Sequence, residues 1–264
     1  MKFLHLVTLA TAALALPSDS LPARQTTTCT SPKVRKSWAN ATSSEKMSYI
    51  NAVLCLATTP SRLSVSTHTT LYDDFAYVHS QLGTSDEALL VHGVPVFLPW
   101  HRYFIQVYED ALRSECGYTG AAMYWDWAAD WAAPSKAAVW DTPLGFGGNG
   151  SDSADGNGPK KLRIAWGPFR NLRPTYWYGE VDPHWLSRDW LPAEMEKGQL
   201  QPEMNGNMYS PTIMDQISSL TVYEKFQFAL ENGPHGGVHA GIGGRYGDMG
   251  PSSSPNGIYP FLSK

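Results

Sequence analysis

Charged side chains are scarce in this 264-residue chain: Asp, Glu, Lys and Arg make up 17% of it and leave a formal charge of -4. So small a charge, on the acidic side, excludes a protein that tracks nucleic-acid phosphates and one that lies on an anionic membrane through a polybasic face. Long apolar runs are missing too. The one continuous stretch, Leu6 to Ala15, is too short to cross a bilayer, so no membrane partner is expected. No internal repeat of fixed period runs through the chain. Cysteine is limited to Cys29, Cys55 and Cys116. In an oxidising compartment two of the three pair, and the third is either a buried free thiol or half of a bridge whose partner lies outside this chain. Apolar and aromatic residues, by contrast, are abundant. They make up 42% and 12% of the sequence, with ten Trp and thirteen Tyr, enough for a full globular core and too many for a disordered chain.

The N-terminus carries an export signal. Lys2 supplies the positive start, Leu6 to Ala15 the apolar region, and Ala13-Leu14-Ala15 the small-residue cleavage site, after which Pro17 to Asp19 stop any helix. Residues 1–15 are therefore expected to be a signal peptide, with Arg24 placed to end a short propeptide, and residues 25–264 to form a secreted, extracellular domain. Asn40-Ala41-Thr42 and Asn149-Gly150-Ser151 are glycan acceptor sequons in such a chain.

The apolar pattern is helical. Met47, Ile50, Val53 and Leu54 recur at helical spacing with Ser43 or Ser44 available as a cap, and Leu71, Tyr72, Phe75, Val78 and His79 form a second face with Asp73 and Asp74 in its first turn. Pro99 opens a third helix through His101, Phe104, Ile105, Tyr108 and Leu112. A fourth pattern covers Ile213 to Leu230, with Ile217, Leu220, Tyr223, Phe226, Phe228 and Leu230 on a broad apolar face, before Asn232-Gly233-Pro234 breaks it. Residues 141–160, rich in Gly, Asp, Ser and Asn, read as a long surface loop. The expected fold is mainly α, a helical bundle with long irregular loops.

Outside the leader, six histidines fall into two groups, His68, His79, His92 and His101 before that loop and His235 with His239 after it, while His184 stands apart. Imidazole without nearby thiolate suits copper, zinc or iron. A helix starting at Pro234 would place His235 and His239, four residues apart, on one face aimed at one ion. His79 and His101 lie on apolar helix faces beside Trp100, Trp125 and Trp127, where imidazole is costly to bury unless something accepts its lone pair.

The stretch His92-Gly93-Val94-Pro95-Val96-Phe97-Leu98-Pro99-Trp100-His101-Arg102, followed by Tyr108-Glu109 and Tyr124-Trp125-Asp126-Trp127, resembles the first copper motif of the tyrosinase and catechol oxidase family. That resemblance implies a type 3 dinuclear copper site whose first ion is held by His79, His92 and His101. No motif position falls on His68. Glu231-Asn232-Gly233-Pro234-His235-Gly236-Gly237-Val238-His239 resembles the second motif. It makes His235 and His239 copper ligands and Glu231 the catalytic carboxylate that orders a water near the metals. The simplest thioether link to His92 needs cysteine where Leu90 stands, and is not expected.

The family continues with a Ser-Pro-Asn-Asp-Pro segment and a paired histidine that supplies the sixth ligand. Here Ser252 to Asn256 is followed by Gly257 to Lys264, and the spacing puts Ser263 or Lys264 at the ligand position, so the second copper site is expected to be incomplete and the domain truncated. The resemblance implies a copper oxidoreductase that converts phenols or o-diphenols to quinones with dioxygen. Gly236, where some monophenol-active members carry asparagine, favours diphenols. Two alternatives follow from the same residues: a catalytically impaired copper-binding remnant, and a zinc hydrolase built on the His235 and His239 pair, which lacks a glutamate after His235 to act as base.

Overall fold

The computed structural model of the chain describes residues 30–83, 90–151, 162–191, 195–196, 199–200 and 204–250. The segments expected to be a signal peptide and a short propeptide, Cys29, Ser252 to Asn256 and Ser263 with Lys264 lie outside the described residues. Helix α1, Ser43–Leu56, is capped by Thr42 rather than by Ser43 or Ser44. The Thr42 hydroxyl accepts the Glu45 N–H and the Glu45 carboxylate accepts the Thr42 N–H at 2.8 Å, which satisfies two donors at the helix start. Its inner face is Tyr49, Ile50, Ala52, Val53 and Leu56, while Met47 is exposed.

Helix α2, Leu71–Gly83, carries its two first-turn carboxylates buried rather than in solvent. Burial is tolerated because every side of them is bonded. Asp73 accepts from the Thr175 N–H, 2.9 Å, and the Thr175 and Thr70 hydroxyls. Asp74 accepts from the Ser61 hydroxyl, the Arg62 N–H and His68 Nε2, the last at 2.6 Å. Helix α3, Phe97–Cys116, is the longest, and ends on Gly117 in the left-handed conformation with its N–H on the Arg113 carbonyl. Phe75 of α2 meets Tyr108 of α3 edge to face at 4.9 Å, and α3 packs along α1.

Cys55 at the end of α1 is joined to Cys116 at the end of α3 by a disulfide. Between and beneath these helices Trp38, Tyr49, Leu56, Leu112, Phe146 and Phe169 are almost fully buried. Phe146 belongs to the stretch read as surface loop. Its flexible neighbours are held in place by the buried Arg188 guanidinium, which donates to the Phe146, Gly147 and Gly148 carbonyls.

The fourth helical pattern is two helices, α4 at Pro211–Ser218 and α5 at Tyr223–Leu230. Their apolar face is not core: Ile217 is buried, but Leu220, Tyr223 and Phe228 are exposed. Nor does Asn232-Gly233-Pro234 end the helix. Glu231–His235 forms a π-helical turn that runs directly into α6, Gly236–Gly243. The wider turn accommodates a proline that has no N–H to give. Among the described residues, strands are confined to two short antiparallel pairs, β1 at Tyr176–Trp177 with β2 at Glu180–Val181, and β3 at Met195–Glu196 with β4 at Gln199–Leu200. The fold is mainly α with long irregular connections, as the helical spacing predicted.

Candidate metal centre

Three elements deliver the first histidine group. His79 sits on the inner face of α2, His101 one turn into α3, and His92 on the loop that enters α3. One nitrogen from each lies within 4.8 Å of the others. The imidazole centroids are 5.0 Å apart for His79 and His92, 5.0 Å for His92 and His101, and 5.6 Å for His79 and His101. Gly83 makes this approach possible. A Cβ there would stand 3.1 Å from His92 Cε1 and Nδ1, closer than side chains normally pack.

The π turn and α6 deliver the second group, with His235 and His239 Nε2 atoms 3.1 Å apart. His235 Nδ1–H donates to the Glu231 carbonyl at 3.2 Å and His239 Nδ1–H to the Met249 carbonyl at 2.8 Å. With both Nδ1 atoms protonated, both Nε2 atoms carry lone pairs that point at the same space. Two metal to nitrogen bonds of roughly 2.0–2.1 Å meeting at an open angle span about that separation. The two groups face each other, with the His235 ring 6.4 Å from His92 and 6.3 Å from His101. Buried Phe97 lies against both, 4.5 Å from His101 and 4.9 Å from His235.

The donors are ready for a metal. His101 Nδ1–H donates to the Phe97 carbonyl at 2.8 Å, and its buried Nε2 has no hydrogen-bond partner. An orphaned imidazole lone pair beside two other imidazoles is what a metal ion satisfies. Burial pushes His92 and His101 each down to about 4, and lowers His235 and His239 as well, His235 well below the ordinary range. Desolvation penalises the imidazolium form, and neighbouring histidines add to the effect at His92, His101 and His235. All four are therefore neutral at ordinary pH, the state that binds metal. Copper, which accepts imidazole in both oxidation states, fits this donor set.

Glu231 is buried and does not point freely at the centre. Its Oε1 accepts the Gly93 N–H at 2.7 Å and its Oε2 accepts from Gln227. Desolvation raises its carboxyl, against the lowering effect of those two bonds. The side chain thus ties the π turn to the loop that carries His92. Tyr223 adds a parallel tie, its hydroxyl donating to the Pro95 carbonyl at 2.6 Å. His68 is no ligand to this group: it is held between Asp74 and the Tyr176 hydroxyl, each at 2.6 Å. The ties at Gly93 and Pro95 have no local sequence signal, because they join backbone groups to side chains far away in the chain, and the Met249 carbonyl, ten residues from His239, is a backbone acceptor that leaves no mark in a sequence.

A helical scaffold that brings nitrogens of three histidines within 4.8 Å of one another, with a second histidine pair facing them, defines a protein with a histidine-lined candidate metal centre. The chain belongs to the tyrosinase family: the common central domain of tyrosinase matches residues 69–257. It is 30% identical over 255 residues to the tyrosinase-like protein phomQ2 of Diaporthe leptostromiformis, covering 97% of this chain and 62% of that protein. It is 32% identical over 227 residues to tyrosinase ustQ of Aspergillus flavus, covering 86% and 60%. The structure of a variant of polyphenol oxidase from Thermothelomyces thermophila superposes with a TM-score of 0.64 at 27% identity, over 86% of this chain and 66% of that one. The chain thus spans about three fifths of the length of the curated relatives it matches.

Proposed function

We propose that this protein binds copper at facing histidine groups and oxidises phenolic substrates, o-diphenols first, to quinones with dioxygen. His79, His92 and His101 hold the first ion, and His235 with His239 contribute to the second. By the motif's spacing the position that would complete the second set falls on Ser263 or Lys264, outside the described residues, where no histidine stands, so the second set is expected to be incomplete. The observation that carries the reading is the convergence of three imidazoles within 4.8 Å, one of them, His101, with an orphaned lone pair. The polyphenol oxidase likeness supports the substrate class.

Bound copper would supply the redox couple and the open coordination positions that this oxidation needs. The chain's own residues do the rest. Backbone carbonyls at Phe97, Glu231 and Met249 fix His101, His235 and His239 with Nε2 toward the metal. Phe97 fills the space against three of the rings and excludes water there. Gly236 adds no side chain beside His235, so no side-chain base stands at that point to take a monophenol proton, which supports diphenols as substrates. Each diphenol gives up two electrons and two protons, and two diphenols reduce one dioxygen to two waters.

Copper per chain, with catechol oxidation followed as quinone absorbance, tests this. Copper uptake with quinone formation, the turnover lost in His101→Ala, is the expected result. A second reading, a copper-binding chain without turnover, is favoured by the fact that among the described residues only the first ligand set reaches three. One ion and no quinone would establish it. Absence of copper uptake would refute both readings.

A further inference from the structure

Among the described residues two histidines fall outside the two facing groups, and the structure puts each in a buried pair with an aspartate: His68 with Asp74 at the start of α2, and His184 with Asp248 just beyond α6. The second pair lies one residue from the carbonyl that orients a ligand. We propose that His184 and Asp248 are positioning residues for the second metal half-site: by fixing the Met249 carbonyl they hold His239 in the Nδ1–H tautomer, with Nε2 toward the metal. The proposal deepens the copper reading and rests on it only for the identity of what His239 binds.

The chain after α6 has little to hold it by itself. Gly244 and Gly247 lie in the short segment that ends on Met249, with Gly243 and Gly250 at its edges, and glycine loses the most conformational freedom on ordering. Gly244 is required where it stands. Its φ is +49°, and a Cβ would lie 2.0 Å from the Asp189 carbonyl oxygen. The segment is instead nailed to the strand-like stretch 187–189. Asp189 Oδ2 accepts the Arg245 and Tyr246 N–H groups at 3.0 and 3.1 Å. The Asp248 N–H donates to the Ser187 carbonyl at 3.0 Å, and Asp248 Oδ2 accepts the Ser187 N–H at 2.6 Å.

His184 closes the arrangement. Its Nδ1–H donates to the Asp182 carbonyl at 2.6 Å and its Nε2–H to Asp248 Oδ1 at 2.8 Å. The carbonyl can only accept, so Nδ1 carries a proton, and the ring is thereby fixed with Nε2 against the carboxyl of Asp248. Asp248 is thus held by the His184 ring on one oxygen and by the Ser187 backbone on the other, and Met249 follows it with its carbonyl 2.8 Å from His239 Nδ1. The chain of contacts runs from His184 to Asp248, through one peptide unit to Met249, and on to His239. An asparagine at 248 cannot reproduce this, because its amide offers one acceptor oxygen where two donors wait.

Ring nitrogen NMR on the full chain without metal tests the proposal directly. In the wild type His239 should show the Nδ1–H tautomer alone, with slow exchange of that proton. Asp248→Asn and His184→Gln should mix its tautomers and speed the exchange at least about ten-fold, while His101, held by the Phe97 carbonyl, stays unchanged. Because a buried polar group left without its partner can prevent folding, the double variant His184→Gln with Asp248→Asn, which replaces both members of the pair, is measured beside the single ones. An unchanged His239 in a folded variant overturns the proposal, as does equal loosening of His101 and His239, the mark of a general structural role. Copper titration of the same variants separates this from the parent reading. A disturbed tautomer with second-site affinity down roughly 10–100-fold supports both. A disturbed tautomer with copper binding unchanged keeps the positioning role and removes His239 from the ligand set.

Discussion

Glu231 shows how a residue's type can be legible while its work is not. The second motif placed a carboxylate just before His235, and the structure puts both of its oxygens to use at once, on Gly93 beside His92 and on Gln227. A carboxylate that only ordered water would need neither bond. Substitution separates the two roles. In Glu231→Gln the amide oxygen can still accept the Gly93 N–H, and Gln227 can turn its own amide to accept from the new NH2 group, so copper affinity at the first site should stay within about two-fold. Glu231→Ala leaves the Gly93 N–H without its partner and frees the His92 loop, and first-site affinity should drop roughly 10–100-fold, the usual cost of losing a group that orients a ligand. Isothermal titration with copper measures both. If the glutamine variant binds copper normally but oxidises catechol slowly, the charge itself acts in turnover. If glutamine and alanine weaken copper alike, the positioning account of Glu231 fails.

The helices that carry the first site were readable because their signals are local: apolar spacing for α1, α2 and α3, and a first-turn proline in α3. The helix boundaries after residue 210 were not. Asn232-Gly233-Pro234 has the composition of a stop, yet the chain absorbs it as a π turn whose wider pitch also sets His235 against His239. Likewise the apolar stripe of α4 and α5 gave a periodicity without saying what covers it, and the residue α5 buries is Gln227, not Phe228. The histidines of both groups could be found from their motifs. The carbonyls that set their tautomers could not, since backbone acceptors leave no mark in a sequence. At the start of α1 the local signal was strong but shared by neighbouring hydroxyls, and the glutamate three residues on decides in favour of Thr42. Lys36 and Thr42 bonded to Glu45 hold its carboxyl down to about 2 from an ordinary 4.5. A depressed acid contributes stability that is complete above its unfolded value and is lost as pH falls through the folded one. Thermal melts should therefore lose stability between about pH 4.5 and 2, and Glu45→Gln should flatten that part of the profile while lowering the plateau above it. Because Glu45 is exposed, high salt should shrink its ion-pair contribution. A profile with the same acid limb in the variant would show that other carboxylates govern it.

At the scale of the whole molecule, the two histidine groups come from opposite ends of the described chain and are fastened by different means. All three histidines of the first group lie between Cys55 and Cys116, inside the loop of sequence separation 61 that the disulfide closes. That bridge ties the last turns of α1 and α3, while α2 with His79 is packed between them and the buried Asp73 and Asp74 networks. Closing a loop of this length restricts the unfolded chain by roughly 4 kcal/mol. The second group has no covalent tie of this kind among the described residues. It is joined to the first through Glu231 on Gly93 and Tyr223 on Pro95. Copper held by the folded chain works in the same direction as the bridge. At a free concentration a hundred times its Kd, one ion stabilises by about 2.7 kcal/mol, less whatever the unfolded chain binds. Replacing Cys55 and Cys116 by serine together should therefore lower the unfolding free energy by roughly 4 kcal/mol in urea without metal. Copper at that concentration should restore more than half of the loss, with the m-value showing whether the unfolded state has expanded. The same copper added to the serine pair in a His101→Ala background should restore far less, because the first ligand set is then broken. Equal rescue with and without His101 would mean that the stabilising ion sits elsewhere, and that the enclosed loop is a structural unit independent of the metal.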